Sequence, residues 1–542
     1  MGGLVAGRQT LNAYRFAHPL PLPPILEDND HTLAVGGGVS PPNGLYSAMQ
    51  GSKEDCVLAP SDDGNPITNF GGNVRFTPRC RYTPRTEAEV LNLLDKHADG
   101  KMRVVGALHS WSPAVVTDDV LVDLRHFDRV AVEQKPEGEV WVTVGGGCRI
   151  KDLLRELHAR SETTLPSVGL INEQSIAGAI STGTHGSGKH SLSHYMDEIR
   201  IAAYDVQTGK ARIYVWNEGA EMRAARCALG CMGIILSVRF RCVPKYDVAE
   251  TITPCATLDD VLGLEGEFPL QQFFLIPHRY SYLVQCRRAV APASPPRRSW
   301  SAKLYRAYWF LWLDIGFHLL VKILASFLRS PALIRWFYRT ALQRLVLRNR
   351  TVVDTSDRML VMEHELFKHL ETEIFVPSSQ VRQAADFVRR VLAAFDDKAA
   401  VIPEESAPAL KQIDMYEMLL QHRGTFTFHY PITFRRVLPD DTLISMSSGS
   451  EEPYYAISFI TYVEPRDRFF DLAFFLARSM TALFGARLHW GKHFPLSCME
   501  TERAYPHLEE FRRLCLKTDP RGVFRNEYTD RVLGFRVDAR DV

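Results

Sequence analysis

From Asn69 onward, apolar residues recur at two periods, and together these predict a mixture of helices and strands. Thr86 and Glu89 stand three apart just before Val90, Leu91, Leu93 and Leu94, the mark of a capped helix start. Arg103-Val104-Val105 reads as a short strand running into Gly106, and Asp119–Leu124 (DVLVDL) as a second. In Glu139–Val144, Val140, Val142 and Val144 fall on every other position, which predicts a half-buried strand. Ile150, Leu153, Leu154 and Leu157 then return to helical spacing. Beyond Val248 the strand period dominates, in Gln272–Ile276, in Ser281–Gln285, and in the alternation of Phe426 and Phe428 within Thr425–Tyr430. An amphipathic helix over Gln380–Phe395 interrupts it, with Val381, Ala384, Val388 and Leu392 on one face.

One run departs from this texture. Trp309–Leu328 (WFLWLDIGFHLLVKILASFL) has about the length of a membrane span. However, Arg306, Asp314, His318, Lys322 and Ser326 stand at multiples of four and so drift only slowly around one helix face. A regular polar stripe opposite a wide apolar face predicts a helix lying in a membrane interface. Pro331 ends it, and a second run, Leu333–Leu347, carries Trp336, Phe337 and Tyr338. Between Asp314 and Asp354 there is no acid, while Lys322, Arg329, Arg335, Arg339, Arg344, Arg348 and Arg350 are basic. Clustered bases among aromatics suit an anionic lipid surface, at about 1 kcal/mol per basic residue. The alternative is a helical hairpin buried against its own domain.

Composition narrows the classes. A chain of 542 residues exceeds what one core sustains, so more than one domain is expected. The formal net charge of +1 excludes wholesale nucleic-acid binding. Ten cysteines without a CxxC pair or a zinc spacing predict a reducing compartment, no disulfide framework and no metal site. Residues 1 to 66, rich in Gly, Pro and Asp, read as a flexible extension. Its first 26 residues contain Arg8, Arg15 and four prolines but no long apolar core, which does not fit a secretory signal.

Candidate chemistry centres on Pro166–His190, PSVGLINEQSIAGAISTGTHGSGKH. Gly169, Gly178 and Gly186 stand there among Ser175, Ala177, Ser181, Thr182 and His185. Small residues at this density let backbone N–H groups approach a diphosphate closely. A bare Gly/Ser-rich surface loop has the same composition. The strand-to-turn segment Val105-Gly106-Ala107-Leu108-His109-Ser110 presents an imidazole and a hydroxyl directly after a glycine. Gly145 and Gly147 precede a helix, but Ile150 stands where GxGxxG needs its third glycine, so no dinucleotide fingerprint is present.

These pieces in this order resemble the flavin domain of vanillyl-alcohol-oxidase-type proteins, and within them the aldonolactone oxidases. The matching segments are NFGGNVRFTP (Asn69–Pro78), VVGALHS (Val104–Ser110), SIAGAISTGTHGSG (Ser175–Gly188) and LGCMGIILSVRFRCVP (Leu229–Pro244), the last including Ile234 and Ile235. Further on, ETEIFVP (Glu371–Pro377), HYPITFR (His429–Arg435), RLHWGKHFP (Arg487–Pro495) and DPRGVFRNEY (Asp519–Tyr528) resemble the family's later signatures. Two departures stand out. Ala107-Leu108 replaces the usual Gly-Gly before the histidine, and Thr433 stands where the pattern has glutamate.

The resemblance implies an α+β protein in four parts: the extension over 1–66; a two-subdomain FAD-binding domain over 67–248; a cap, or substrate, domain over 249–485 carrying the helical membrane-associated insert 299–350; and a segment over 486–542 that closes the active site. It implies FAD held covalently through His109, with His489 in the wall. Arg435, Lys492 and Thr433 would meet the substrate. The reaction implied is oxidation of a sugar 1,4-lactone of the L-gulono-, L-galactono- or D-arabinono- type. Hydride would pass from a CH–OH carbon to flavin N5, and O2 would return the flavin to its oxidised form with release of hydrogen peroxide. It also implies a membrane location, in the cytosol or on the endoplasmic reticulum or a mitochondrial membrane. Two rivals stay open: oxidation of another polyol or alcohol with a different acceptor, and a scaffold whose catalysis has decayed.

Overall fold

The computed structural model describes residues 64–292, 300–362, 368–400, 406–462 and 466–535. Residues 1–63 of the expected extension, and Ser299 at the start of the expected insert, lie outside them. A ribbon of β1 (Ile67–Thr68) and β2 (Arg75–Phe76) leads into a parallel sheet of order β3-β5-β4, formed by β3 (Cys80–Tyr82), β4 (Met102–Val105) and β5 (Val120–Asp123). The intervening helix Glu87–Lys96 begins as expected, with Thr86 Oγ1 accepting the Glu89 N–H at 3.2 Å. The Glu89 carboxylate, however, accepts from the Arg85 N–H instead of closing the box on Thr86.

A second, antiparallel sheet follows. It uses β6 (Val130–Gln134), β7 (Val140–Gly145), β9 (Met196–Tyr204), β10 (Ala211–Trp216) and β11 (Ile234–Arg241) in the order β10-β9-β11-β7-β6. Short β8 (Thr163–Thr164) pairs with β12 (Val243–Pro244) beside it. The third sheet begins at Asp247. It comprises β13 (Asp247–Cys255), β14 (Gln272–Leu275), β15 (Tyr282–Val290), β16 (Val352–Thr355), β17 (His369–Pro377), β18 (Ile432–Val437), β19 (Tyr454–Tyr462) and β20 (Arg487–Leu488). Their order is β16-β13-β15-β14-β18-β19-β17-β20, antiparallel throughout.

The pleat gives this sheet two faces. One carries the buried row Phe273, Phe434, Ile457 and Ile374, and helices Val381–Asp396 and Asp467–Phe484 pack against the sheet through β17. The other face looks into the cavity described below. The alternation of Phe426 and Phe428 does not extend the sheet, whose pairing begins at Ile432. Side chains occupy the carbonyls there: His278 Nε2 meets Phe428 O at 2.8 Å, and the Tyr338 hydroxyl donates to His429 O at 2.7 Å.

The insert forms one helix from Trp300 to Phe327 with π-helical turns at Trp309–Phe317 and Ile323–Phe327, then a second helix from Pro331 to Leu345. Two members of the polar stripe meet the cap, whereas Lys322 is exposed. Arg306 pairs with Asp354 at 2.6 Å, and His318 Nδ1 meets the Tyr430 hydroxyl at 2.6 Å. Leu304, Leu311 and Phe327 point outward, at 66%, 63% and 83% exposure. The side chain of Asp314 lies outside the described residues.

The C-terminal segment belongs to both halves of the molecule. After β20 closes one edge of the cap sheet, Gly491 O accepts the Trp111 N–H at 2.8 Å and Val523 O the Met102 N–H at 2.7 Å. Arg103, buried near the start of β4, donates to Leu229 O at 2.5 Å and to Phe524 O. A buried guanidinium spread over two carbonyls holds that segment against the parallel sheet.

Candidate active site

A cavity of about 730 Å³ runs between the first two sheets and the open face of the third. One half is lined by Val105, Gly106, Ala107, Leu108, His109 and Ser110 from the turn after β4. Gly169, Ser175, Ala177, Gly178, Ser181, Thr182 and His185 face them, with Ile235 of β11. The Gly/Ser-rich stretch is therefore a cavity wall and not an outer loop. Gly106 lies so close to the helix Ile176–Ser181 that a Cβ there would sit 2.1 Å from Ser175 Oγ. Two expected residues lie off this wall. Ile234 points into the core from β11 at 0% exposure, and Gly186 backs onto Val168 O.

The turn keeps its shape despite its unusual residues. Leu108 adopts φ +58°, in the left-handed region that glycine enters freely and leucine does not. This carries His109 to the cavity, where it stacks on Phe70 at 5.1 Å. Burial lowers the His109 pKa to about 4, so the imidazole is neutral at pH 7.

No Asp or Glu lines this half, where main chain is flanked by the small side chains of Gly106, Ala107, Gly169, Ser175, Ala177 and Gly178. That surface fits the diphosphate of a bound FAD. His109 and the 169–185 wall would hold the cofactor.

The other half belongs to the cap. Arg435 and Thr433 project from β18, Gln272 and Phe274 from β14, Leu283 and Gln285 from β15, and Glu371 and Glu373 from β17. Arg435 Nε donates to Gln272 Oε1 at 3.2 Å, and Nη1 lies 3.6 Å from Glu373 Oε1. Lys492 pairs with Glu371, its Nζ 4.2 Å from the Trp111 ring centroid. Arg435, Lys492 and His109, more than 300 residues apart at the extremes, thus share one cavity. Glu371, Glu373 and Gln272 were not singled out in the sequence. Their signal was two acids at strand period in an otherwise apolar ETEIFVP.

His185, Glu373 and His489 form a buried cluster whose ligand atoms lie within 4.8 Å of one another. Its hydrogen bonds argue against a metal. His489 Nδ1 accepts the Gly491 N–H at 3.0 Å, so its proton sits on Nε2, the atom a metal would need bare. Burial lowers the His489 pKa to about 3, keeping it neutral. For Glu373, burial opposes ionisation, but His185 outweighs it, and the carboxyl lies well below its ordinary range. The nine cysteines among the described residues are free.

A cavity suited to FAD, with a cap of hydrogen-bonding groups over it, defines a FAD-dependent oxidoreductase. The comparisons agree. Residues 78–205 match the FAD binding domain, and residues 238–532 match the D-arabinono-1,4-lactone oxidase family. The chain belongs to that family. It is 45% identical over 467 residues to a long-chain alcohol oxidase of an uncultured marine euryarchaeote, covering 86% of this chain and 96% of that protein. It is 25% identical over 482 residues to the L-gulonolactone oxidase of Mus musculus, covering 86% and 98%. The fold is that of cholesterol oxidase from Brevibacterium sterolicum, with TM-score 0.65 at 14% identity, covering 86% and 96%.

Proposed function

We propose that this protein is a FAD-dependent oxidase of an alcohol with a long apolar remainder. The reading rests on how the cavity wall changes across the cap sheet. Near the flavin side stand Arg435, Lys492, Glu371 and Glu373. Moving toward the insert, the wall gains Phe274, Ile276, Leu283 and Ile252, then Trp309, Phe310, Phe317, Leu342 and Val346, while Glu250, Arg287 and Tyr305 on that side are tied to one another. A compact sugar lactone offers hydroxyls all round, and an apolar arm would leave them without partners. An alkyl chain fits there without that loss. Thr433, paired in register with Phe274, puts a neutral group where a second acid would charge this transition.

FAD, when bound, supplies the acceptor for the hydrogen and electron pair leaving the CH–OH carbon, and O2 is the final oxidant. Arg435 and Lys492 bring positive charge to the substrate oxygen, and stabilise it as negative charge grows there. Trp111 and Glu371 hold the Lys492 ammonium in place. His109, neutral and facing the cavity, is the group through which FAD is covalently attached. No metal is needed for these roles.

The exposed apolar face of the insert, with its uninterrupted basic flank, supports a location on a membrane surface, that of the endoplasmic reticulum or the mitochondrion. An aldonolactone remains the second reading, favoured by Arg435 and Lys492 standing in the family's positions. Peroxide release should be measured across primary alcohols of increasing chain length and a panel of aldonolactones, in air and anaerobically with a dye acceptor. We expect kcat/KM to rise about threefold or more per added CH₂ until the arm is full, since each buried CH₂ contributes about 0.8 kcal/mol. Faster turnover of lactones than of every alcohol would overturn the alcohol reading. Turnover with the dye but not with O2 would overturn the oxidase reading.

A further inference from the structure

We propose that Glu373 is the carboxylate that receives the substrate's hydroxyl in this chain, acting with Arg435 from β17 where position 433 of β18 offers only threonine. The proposal rests on the site oxidising a hydroxyl-bearing carbon, but on neither substrate class in particular.

Thr433 pairs with Ser458 of β19, and Ser458 pairs with Glu373 of β17. Directly paired residues project from the same face, so these three side chains form one row across the sheet. Arg435, two residues on from Thr433, shares that face. With strands about 4.8 Å apart, Glu373 brings a carboxylate into the row two strands from Thr433.

Its contacts complete the picture. Glu373 Oε1 accepts from Ser458 Oγ at 2.7 Å and lies 3.5 Å from His185 Nε2 and 3.6 Å from Arg435 Nη1. Among the described residues, all these contacts fall on the same oxygen, so Oε2 is left for the cavity that the residue lines. Arg435 is held from its other side by Gln272, which aims its fork.

The charge is kept where burial opposes it. Glu373 is 1% exposed in a strand of buried residues, a place where an apolar side chain would avoid a desolvation penalty of several kcal/mol. His185 balances it, with Nδ1 on Gly186 O at 2.9 Å and Nε2 turned to the carboxylate. The neighbouring acid is a poorer candidate. Glu371 is one row further along, opposite Ile460, and is held by Lys492.

The test uses FAD-loaded protein and two probes of equal length, read by calorimetry. One is a long-chain tertiary alcohol, which has a hydroxyl but no hydrogen on the carbinol carbon. The other is the corresponding chloroalkane. Glu373→Gln should weaken the tertiary alcohol about 30-fold, the scale of a charge-assisted hydrogen bond, and leave the chloroalkane within twofold. Adding Thr433→Glu to Glu373→Gln should recover at least a fifth of the lost affinity, because it returns a carboxylate to the same row. Glu373→Asp, which keeps the charge, should lie between wild type and Gln and covers the case in which Gln fails to fold. Equal loss for both probes would mean a structural role, and no loss for either would leave the hydroxyl with another partner. Each result overturns the proposal. If the wild type oxidises only lactones, the alcohol reading fails, and Glu373 is judged by the same variants with a lactone. A wild type that oxidises neither overturns both.

Discussion

At the scale of the residue, the turn that delivers His109 keeps a glycine-like backbone without glycine. Leu108 at φ +58° bears a strain of about 1–2 kcal/mol relative to a residue free to adopt that angle. It is held there partly by its packing against the small cluster of Val74, Phe76, Val105 and Leu121. At an ordinary position alanine exceeds glycine in stability by about 0.5–1 kcal/mol. At 108 the order should reverse: Leu108→Gly should unfold at higher denaturant than Leu108→Ala, both having lost the leucine contacts. An alanine variant at least as stable as the glycine variant would show that the angle carries no strain.

At the scale of the element, the insert helix buries one apolar side and leaves a second apolar side exposed. Arg306 and His318 are engaged by the cap through Asp354 and Tyr430 and Phe317, Val321 and Leu324 are buried, while Leu304, Leu311 and Phe327 face outward. The π-helical turns, with their i→i+5 bonding, give a turn of more than 3.6 residues and keep residues four apart on one side for longer than an α-helix would. Burying a leucine or phenylalanine stabilises by about 1.5–3 kcal/mol. Leu311→Ser with Phe327→Ser should therefore lower partition onto vesicles containing anionic lipid at least tenfold, with flavin content unchanged. Binding should also weaken as salt rises, because exposed charges are screened beyond about 8 Å at physiological ionic strength. Vesicle binding by the double variant equal to that of the wild type would remove the insert from the membrane reading.

At the scale of the whole molecule, several histidines are buried neutral. Burial lowers the pKa of His429 and His493 to about 4 and that of His489 to about 3, from an ordinary value near 6.5. Below pH 6.5 the unfolded chain takes up protons that the folded one refuses, so stability falls as pH falls, until the folded values are reached. Each such group contributes a slope of about 1.4 kcal/mol per pH unit. Above pH 7 these groups make no difference. Glu373 acts in the same direction at lower pH, since its depressed pKa stabilises only above the ordinary carboxylate range. Chemical denaturation of the FAD-loaded protein should therefore show a flat stability from pH 7 to 8 and a steep loss between pH 6.5 and 4.5. A level profile across that lower window would mean that these histidines titrate normally.

The sequence by itself determined what depends on local spacing. The helix capped by Thr86, the strands at Val104 and Val140, the Gly/Ser-rich wall and the polar stripe from Arg306 to Ser326 were all legible, because period and small-residue density act over a few positions. His109, Arg435 and Lys492, each marked by a short motif, do meet in one cavity. The tertiary structure alone decided what depends on register and on which face meets which. Glu373 is two strands from Thr433 and 60 positions away in the chain, and only the β18-β19-β17 pairing puts them in one row. The direction of the insert's polar stripe was likewise undetermined, because periodicity defines two faces but not which of them meets protein. The apolar arm of the cavity was hidden for the same reason. Phe274, Leu283 and Phe317 read as ordinary core residues until the fold leaves a space beside them.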